Sequence, residues 1–431
     1  MGKLHIGMSL APTWLSSEAW RRPDSGIENY HEPGFAADIA RRAEAAKLDF
    51  VFLPDTLYLD PQVLETGPGF SSMDPTMTLA AIAHETQRIG LLTTVSTTFL
   101  PPYVVARQLQ TLNRISRGRV GWNVVTALGG HENFGLDAMP PAEERYAQAA
   151  EFVAVVRALW DSYPDAAILN DRDTGRYANA SLVQPIDHNG KKFRVQGPLN
   201  LPAWAGDRIP LVQAGASEAG QNFAAAIADA VFASTPDRDA AAALRTSLCT
   251  RAERQGRPAH NIRLLPGLSL YLADNKSEAR DLFQATHVRA DRSRAIARIQ
   301  AMIGLDLTNW PQDCPIAATY LPPLPARCPS RTHAELLQRL IRRETPSLQD
   351  LLTRPEVMGS GHWQIVGTAQ DAAEEVAQWS QASAIDGFIC VPGGSVRSMH
   401  LTLDQLIPAL VERKLFRSDY SATSFLGHLS D

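Results

Sequence analysis

Five places along the chain put polar or small residues at, or just past, the end of a short apolar run: Asp55, Thr94, Asn123, Ser217 and Gly393-Gly394-Ser395. In a protein whose strands each feed a helix, the loops after the strands are where ligands meet side chains. In Gln213-Ala214-Gly215-Ala216-Ser217-Glu218 a strand runs into glycine and then into a serine that can open a helix. Backbone N–H groups at such a helix start, with a hydroxyl beside them, suit a phosphate. The same serine can also be a plain N-cap with no ligand. Spacing leaves both readings open. Thr93-Thr94-Val95-Ser96-Thr97-Thr98 is a hydroxyl-rich strand end. Alternation would turn some of these hydroxyls inward, although threonine is also simply a good strand former.

Other chemistries leave no trace. GxGxxG after a strand, GxxxxGK[ST], HExxH and GxSxG are all missing. The eleven histidines are scattered. Cys249, Cys314, Cys328 and Cys390 form no CxxC pair, so neither a zinc site nor a disulfide framework is indicated and no metal is expected. No lysine falls at a strand end, where a Schiff-base lyase would need one. The formal net charge of -5 gives no case for nucleic-acid binding. Arg41-Arg42 and Arg342-Arg343 read as solvated helix faces. No apolar run approaches the roughly 20 residues that span a bilayer, and nothing resembles a signal peptide. A cytoplasmic location is the expectation.

The elements that must position the polar residues recur as strand, turn, helix. Strands are expected at 4–8, 50–53, 89–95, 120–125, 210–214, 230–232, 264–271 and 387–391. Helices are expected at 35–47, from 75, at 102–115, 143–163, 218–228 and 238–255, from 276, and at 403–414. Apolar strands alternating with helices imply a parallel sheet covered on both faces. Eight such units favour closure into an α/β fold of the (β/α)8 TIM-barrel type. The alternative, an open doubly wound sheet, would usually carry a glycine fingerprint after its first strand. The 431 residues suit one barrel domain over 1–431, with insertions at about 165–207 and 291–363. The second, proline-rich insertion is a candidate lid.

The run Gly118-Arg119-Val120-Gly121-Trp122-Asn123-Val124-Val125-Thr126 resembles the signature of the bacterial luciferase-like flavin monooxygenases. The similar branch is that of the nitrilotriacetate, EDTA, dibenzothiophene-sulfone and pristinamycin monooxygenases. Further segments match in order: Leu48-Asp49-Phe50-Val51-Phe52-Leu53-Pro54-Asp55, Asn133-Phe134-Gly135, Glu144-Arg145-Tyr146, Gly197-Pro198-Leu199-Asn200 and the tail Phe416-Arg417-Ser418-Asp419-Tyr420. The resemblance covers most of the chain.

It implies a luciferase-like barrel that binds reduced FMN (FMNH2). Asp55 and Thr94 match family residues near the isoalloxazine, Tyr146 and Ser217 match residues at the phosphate and ribityl end, and Asn123 falls near the ring. The implied activity is that of a two-component monooxygenase. It would oxidise a small organic substrate with O2 through a flavin C4a-(hydro)peroxide, with FMNH2 supplied by a separate NAD(P)H:FMN reductase. His131 and Asn123 are the candidate catalytic contacts, with Tyr146 nearby. A homodimer or homotetramer is implied. The alternatives are an F420-dependent oxidoreductase of the same barrel superfamily and a non-catalytic flavin-binding homologue. The family's H-x-x-R-Y pattern is broken here, because Ala142 stands where the histidine would be. His131 is a candidate replacement. The loop Val391-Pro392-Gly393-Gly394-Ser395 also departs from the branch, which points to a different substrate.

Overall fold

The computed structural model describes residues 2–11, 13–215, 217–288, 292–325 and 328–430. Ala216, within the strand-to-helix run, and Asp291, the expected start of the second insertion, lie outside the described residues. Eight parallel strands close into a ring: β1 (His5–Ser9), β2 (Phe50–Leu53), β3 (Gly90–Ser96), β4 (Val120–Val125), β5 (Leu211–Gln213), β6 (Ala230–Ala233), β7 (Arg263–Leu272) and β8 (Gly387–Pro392). Closure is direct, since His5 pairs with Gly387 on one side of β1 and Gly7 pairs with Phe50 on the other. The helices α1 (Pro33–Ala45), α2 (Pro75–Glu85), α3 (Pro102–Ser116), α4 (Ala142–Asp161), α5 (Glu218–Ile227), α6 (Arg238–Arg254) and α7 (Lys276–His287) follow strands in chain order. Their starts are set by local chemistry. Asp74 caps α2 by accepting from the Met77 N–H at 2.8 Å, with Pro75 in the first turn where its missing N–H costs nothing.

A ninth strand, Trp363–Gly367, corrects the sequence reading, which had ended the second insertion at 363. It pairs parallel with the second half of β7, from Leu268–Trp363 to Leu272–Gly367. The first half of β7 pairs with β6, from Ala230–Arg263 to Ala233–Pro266. β7 therefore changes partner at Pro266-Gly267. The last helix also begins earlier than expected, at Val396, capped by Ser395, and passes through a wide π turn at Thr402–Leu406 before Ile407–Glu412. Pro408 lacks the N–H of a regular turn, and a widened turn accommodates that loss.

The two insertions are unlike each other. Residues 165–207 form two short hairpins laid against the outer helices. Arg114 of α3 donates to the Pro202 carbonyl at 2.9 Å, and Glu151 of α4 accepts from the Phe193 N–H at 2.9 Å. Beyond α7, α8 (Arg292–Ile303), α9 (Arg331–Glu344), α10 (Leu348–Leu352) and α11 (Pro355–Met358) build a separate apolar core around Ile299, Ile303, Ile316, Leu337 and Ile341. This unit reaches the barrel at the β6–α6 turn, where Arg339 and Arg343 both pair with Asp237.

The barrel interior is filled from below by the C-terminal tail. Phe425 enters between β3 and β4, its ring centroid 5.0 Å from that of Phe50. It fits because Gly121 and Gly90 have no side chains, and a Cβ on Gly121 would lie 2.2 Å from the ring. The tail is anchored by Arg417, which pairs with the fully buried Asp49. Asp49 also accepts from the Ile6 N–H at 2.7 Å. Arg417 donates to the His428 carbonyl at 3.2 Å, and the His428 Nε2–H reaches the Arg88 carbonyl at 2.7 Å. Truncating Phe425 to alanine should lower stability by about 3–5 kcal/mol, as for other fully buried rings. Urea unfolding checks this, and a loss under about 1 kcal/mol would mean that the ring does not fill the barrel.

Candidate active site

The upper layer of inward side chains walls a cavity of about 610 Å³, within the range of small-molecule sites. The wall takes alternate residues from adjacent strands: Phe52 and Pro54, Thr94 and Ser96, Asn123 and Val125, then Ala214 and Phe232. That alternation is what a pleated strand dictates. The register sets Thr94 beside Asn123. The Asn123 Nδ2 donates to the Thr94 hydroxyl at 3.0 Å, and that hydroxyl donates to the Leu53 carbonyl at 2.8 Å. This chain uses the amide nitrogen and leaves the Asn123 Oδ1 buried without a partner. The Thr56 hydroxyl, in the same wall, is likewise buried and unpartnered. Burial pushes the Asp55 carboxyl above its ordinary value, against the Thr56 N–H that favours its charged form, while Asp74 pushes it further up. Buried polar atoms are nearly always satisfied, so unpaired groups aimed into a cavity mark places where a ligand supplies the partner.

The cavity ends at Ala214, and Gly215 follows beneath the Tyr146 hydroxyl. A Cβ on Gly215 would lie 2.9 Å from that oxygen, and one on Gly220 would lie 2.8 Å from it. The Ser217 hydroxyl accepts from the Gly220 N–H at 3.2 Å, so Ser217 does cap α5. Tyr146 and Ser217 therefore meet at one helix start, while Asp55, Thr94 and Asn123 meet inside the cavity.

Residues 13–386 match the luciferase-like monooxygenases. The chain belongs to this family. It is 33% identical to nitrilotriacetate monooxygenase component A of Aminobacter aminovorans, over 99% of this chain and 96% of that protein. It is 31% identical to N-acetyl-S-(2-succino)cysteine monooxygenase of Bacillus subtilis, over 99% and 96% respectively. Among solved structures, EDTA monooxygenase from Chelativorans sp. BNC1 superposes with a TM-score of 0.82 at 26% identity, covering 100% of this chain and 98% of that one. A riboflavin lyase bound to modified FMN and riboflavin superposes with a TM-score of 0.84 at 26% identity, covering 99% of this chain and 96% of that one.

In this luciferase-like monooxygenase the signature run has a double task. Gly121 faces inward and admits Phe425, Trp122 faces out and donates its indole N–H to the Val95 carbonyl at 3.1 Å, and Asn123 faces inward again at the cavity. His131 sits in the short helical turn His131–Phe134, with its Nδ1 3.2 Å from the Glu132 carboxylate, and is absent from the cavity wall. Ala142 is exposed as the first residue of α4. One turn on, Arg145 donates to the Pro140 carbonyl at 3.0 Å and to the carbonyl of Ala127, a wall residue, which keeps a guanidinium at this rim. Among the described residues, no group of three or more His, Cys, Asp or Glu is placed to hold a metal, and no helix is long and apolar enough to cross a membrane.

Sequence reading passed over Phe232, Thr56, Gln213 and His362. Gln213 is a polar residue in a three-residue strand of the buried ring, and that mismatch was a usable signal. His362 gave none. It enters where β7 changes partner, its ring 5.2 Å from that of Phe232. It occupies the space over Gly267, where a Cβ would lie 2.3 Å from its Nδ1. Desolvation pushes its pKa down from 6.5 to about 4. The folded protein thus holds this ring neutral where the unfolded chain would protonate it. Its stability contribution is complete above about pH 6.5 and is lost as the pH falls towards about 4. His362→Gln should flatten the fall in urea midpoint between pH 7 and pH 5. An unchanged slope would assign the acid sensitivity to other groups.

Proposed function

We propose that this chain holds reduced FMN across the barrel mouth and uses O2 to oxygenate a small organic substrate. The observation that carries this is the Asn123 Oδ1, a buried acceptor with no protein partner, aligned with Thr94 and Asp55 in a cavity that ends at the α5 start. An isoalloxazine offers ring N–H donors and an apolar face, which suit an unpaired amide oxygen in a wall that also holds Phe52 and Phe232. A solved relative bound to modified FMN supports the same choice of cofactor.

The chain's own residues divide the work. Asn123, held by Thr94, orients the ring. Asp55 and the Thr56 hydroxyl supply polar contacts on the loop after β2. Tyr146, Ser217 and the first N–H groups of α5 receive the phosphate, which a helix start favours electrostatically. Phe52, Phe232 and Val125 exclude water from the reacting face. When bound, the reduced flavin supplies the two electrons that activate O2, so that one oxygen atom enters the substrate and the other leaves as water. The chain shows no nicotinamide fingerprint, so a separate NAD(P)H:FMN reductase delivers the reduced flavin.

Anaerobic titration tests this. The protein should bind reduced FMN more tightly than F420, and Asn123→Ala should weaken binding by roughly 10-fold, the worth of one buried hydrogen bond. Tyr146→Phe should weaken FMN more than riboflavin, because only FMN carries the phosphate. Equal losses for FMN and riboflavin would remove Tyr146 from the phosphate end. Ala142→His should tighten FMN binding if the rim lacks a donor, and leave it unchanged if Arg145 already serves. No binding of either flavin would sink the proposal.

A further inference from the structure

Beside the flavin cavity lies a second chamber of about 460 Å³, between the loops after β1 and β2. The two share Pro54, Val63, Gly69 and Phe70 as a partition. The chamber's remaining wall is apolar or hydroxylic, with Leu10, Tyr30, Phe35, Leu53 and Met73 facing it. Among the described residues lining it, none is charged, and the flavin cavity adds only Asp55 and Asp60. Tyr30 stays a neutral phenol, since burial pushes its pKa up to about 12. Among the described residues, no arginine, lysine or histidine lines either space.

We propose that this chamber is the substrate site, and that its occupant is a neutral, predominantly apolar organic molecule with no carboxylate. This rests on the flavin reading above, which makes the shared partition the place where substrate and ring meet. The argument is one of desolvation. An anion moved from water into a space without cations loses its hydration and gains no ion pair, and here it also meets two carboxylates on the far side of the partition. The apolar wall rewards a neutral skeleton in proportion to the area it covers, and the hydroxyls of Tyr30, Thr66 and Ser17 can each serve one neutral acceptor. The relatives named for nitrilotriacetate and for EDTA act on polycarboxylates. This chain's chamber excludes that class, so its substrate specificity differs from theirs despite the shared barrel.

An isosteric pair of probes tests the proposal on the full chain, with and without FMN: biphenyl-4-carboxamide, which is neutral, and biphenyl-4-carboxylate, which is not. Isothermal titration should show the carboxamide binding at least about 10-fold more tightly than the carboxylate, with nitrilotriacetate not binding. Met73→Lys places a cation in the wall and should reverse that preference, while FMN affinity stays within about twofold. Met73→Leu should keep the native preference, and a thermal melt of each variant confirms folding. Carboxylate binding as tight as carboxamide binding overturns the proposal, as does a Met73→Lys protein that is folded but keeps the native preference. Carboxamide binding without any flavin binding would leave the chamber standing and remove the flavin reading. Flavin binding with carboxylate preference would do the reverse.

Discussion

An inward side chain in a closed ring of eight strands has very little room, and every strand sends alternate residues there. The rest of the structure follows from how those positions are allocated. The lower half is filled by two aromatic rings that fit only because glycine stands opposite: Gly7 admits Phe50, and Gly90 with Gly121 admits Phe425. Above the closed lower layers, Phe52, Thr94, Asn123 and Phe232 line a cavity. A slip of one residue in β4 would drive Trp122 into the barrel and turn Asn123 outward. The plug and the site are therefore set by one register. The plug in turn depends on Asp49 and Arg417, whose burial is tolerated because each charge meets the other and both meet backbone groups.

The mouth is electrostatically divided. At the β2–β4 side sit acceptors: the Asn123 Oδ1, the Thr56 oxygen and the Asp55 carboxyl held above its ordinary pKa. At the β5 side sit donors: the Tyr146 hydroxyl and the start of α5, with Arg145 at the rim. A ligand with N–H donors at one end and an anion at the other can lie in one direction only. This division argues for a phosphorylated ring cofactor over an uncharged one. It also fits the proposal that no anionic substrate binds beside it, since among the described residues no cationic side chain lines either cavity.

The barrel was legible in the sequence because its strands are continuous apolar runs bounded by turn residues and because each is followed by a helix of amphipathic spacing. Asp55, Thr94 and Asn123 were legible as polar residues at strand ends, where barrel loops meet ligands, although Thr94 and Asn123 also bond within the wall. Ser217 was ambiguous for a physical reason: an N-cap and a phosphate site draw on the same N–H groups, and the structure shows the cap. The strand Trp363–Gly367 was not legible, because five residues after a long proline-rich stretch carry too little periodicity. The helix after it, Ala369–Gln381, was also passed over, although its Thr368 and Asp371 capping box is a local signal that the sequence carries. His362 and Phe232 come together only in three dimensions, across a change of strand partner that no local pattern encodes.

That change of partner decides how the second insertion bears on the site. The unit from α8 to α11 has its own core, so it is not held together by the barrel. Among the described residues, it lines neither cavity, which sets it apart from a lid. It is joined to the barrel by the two arginines on Asp237 and by the chain that leads through His362 into the ninth strand. β7 can leave β6 after Pro266 only if something fills the opening, and His362 does so by lying over Gly267 against Phe232. Phe232 is a wall of the candidate cavity. Among the described residues, the unit from α8 to α11 therefore bears on the cavity indirectly, through one neutral imidazole packed on an aromatic wall, rather than by a residue of its own in the lining.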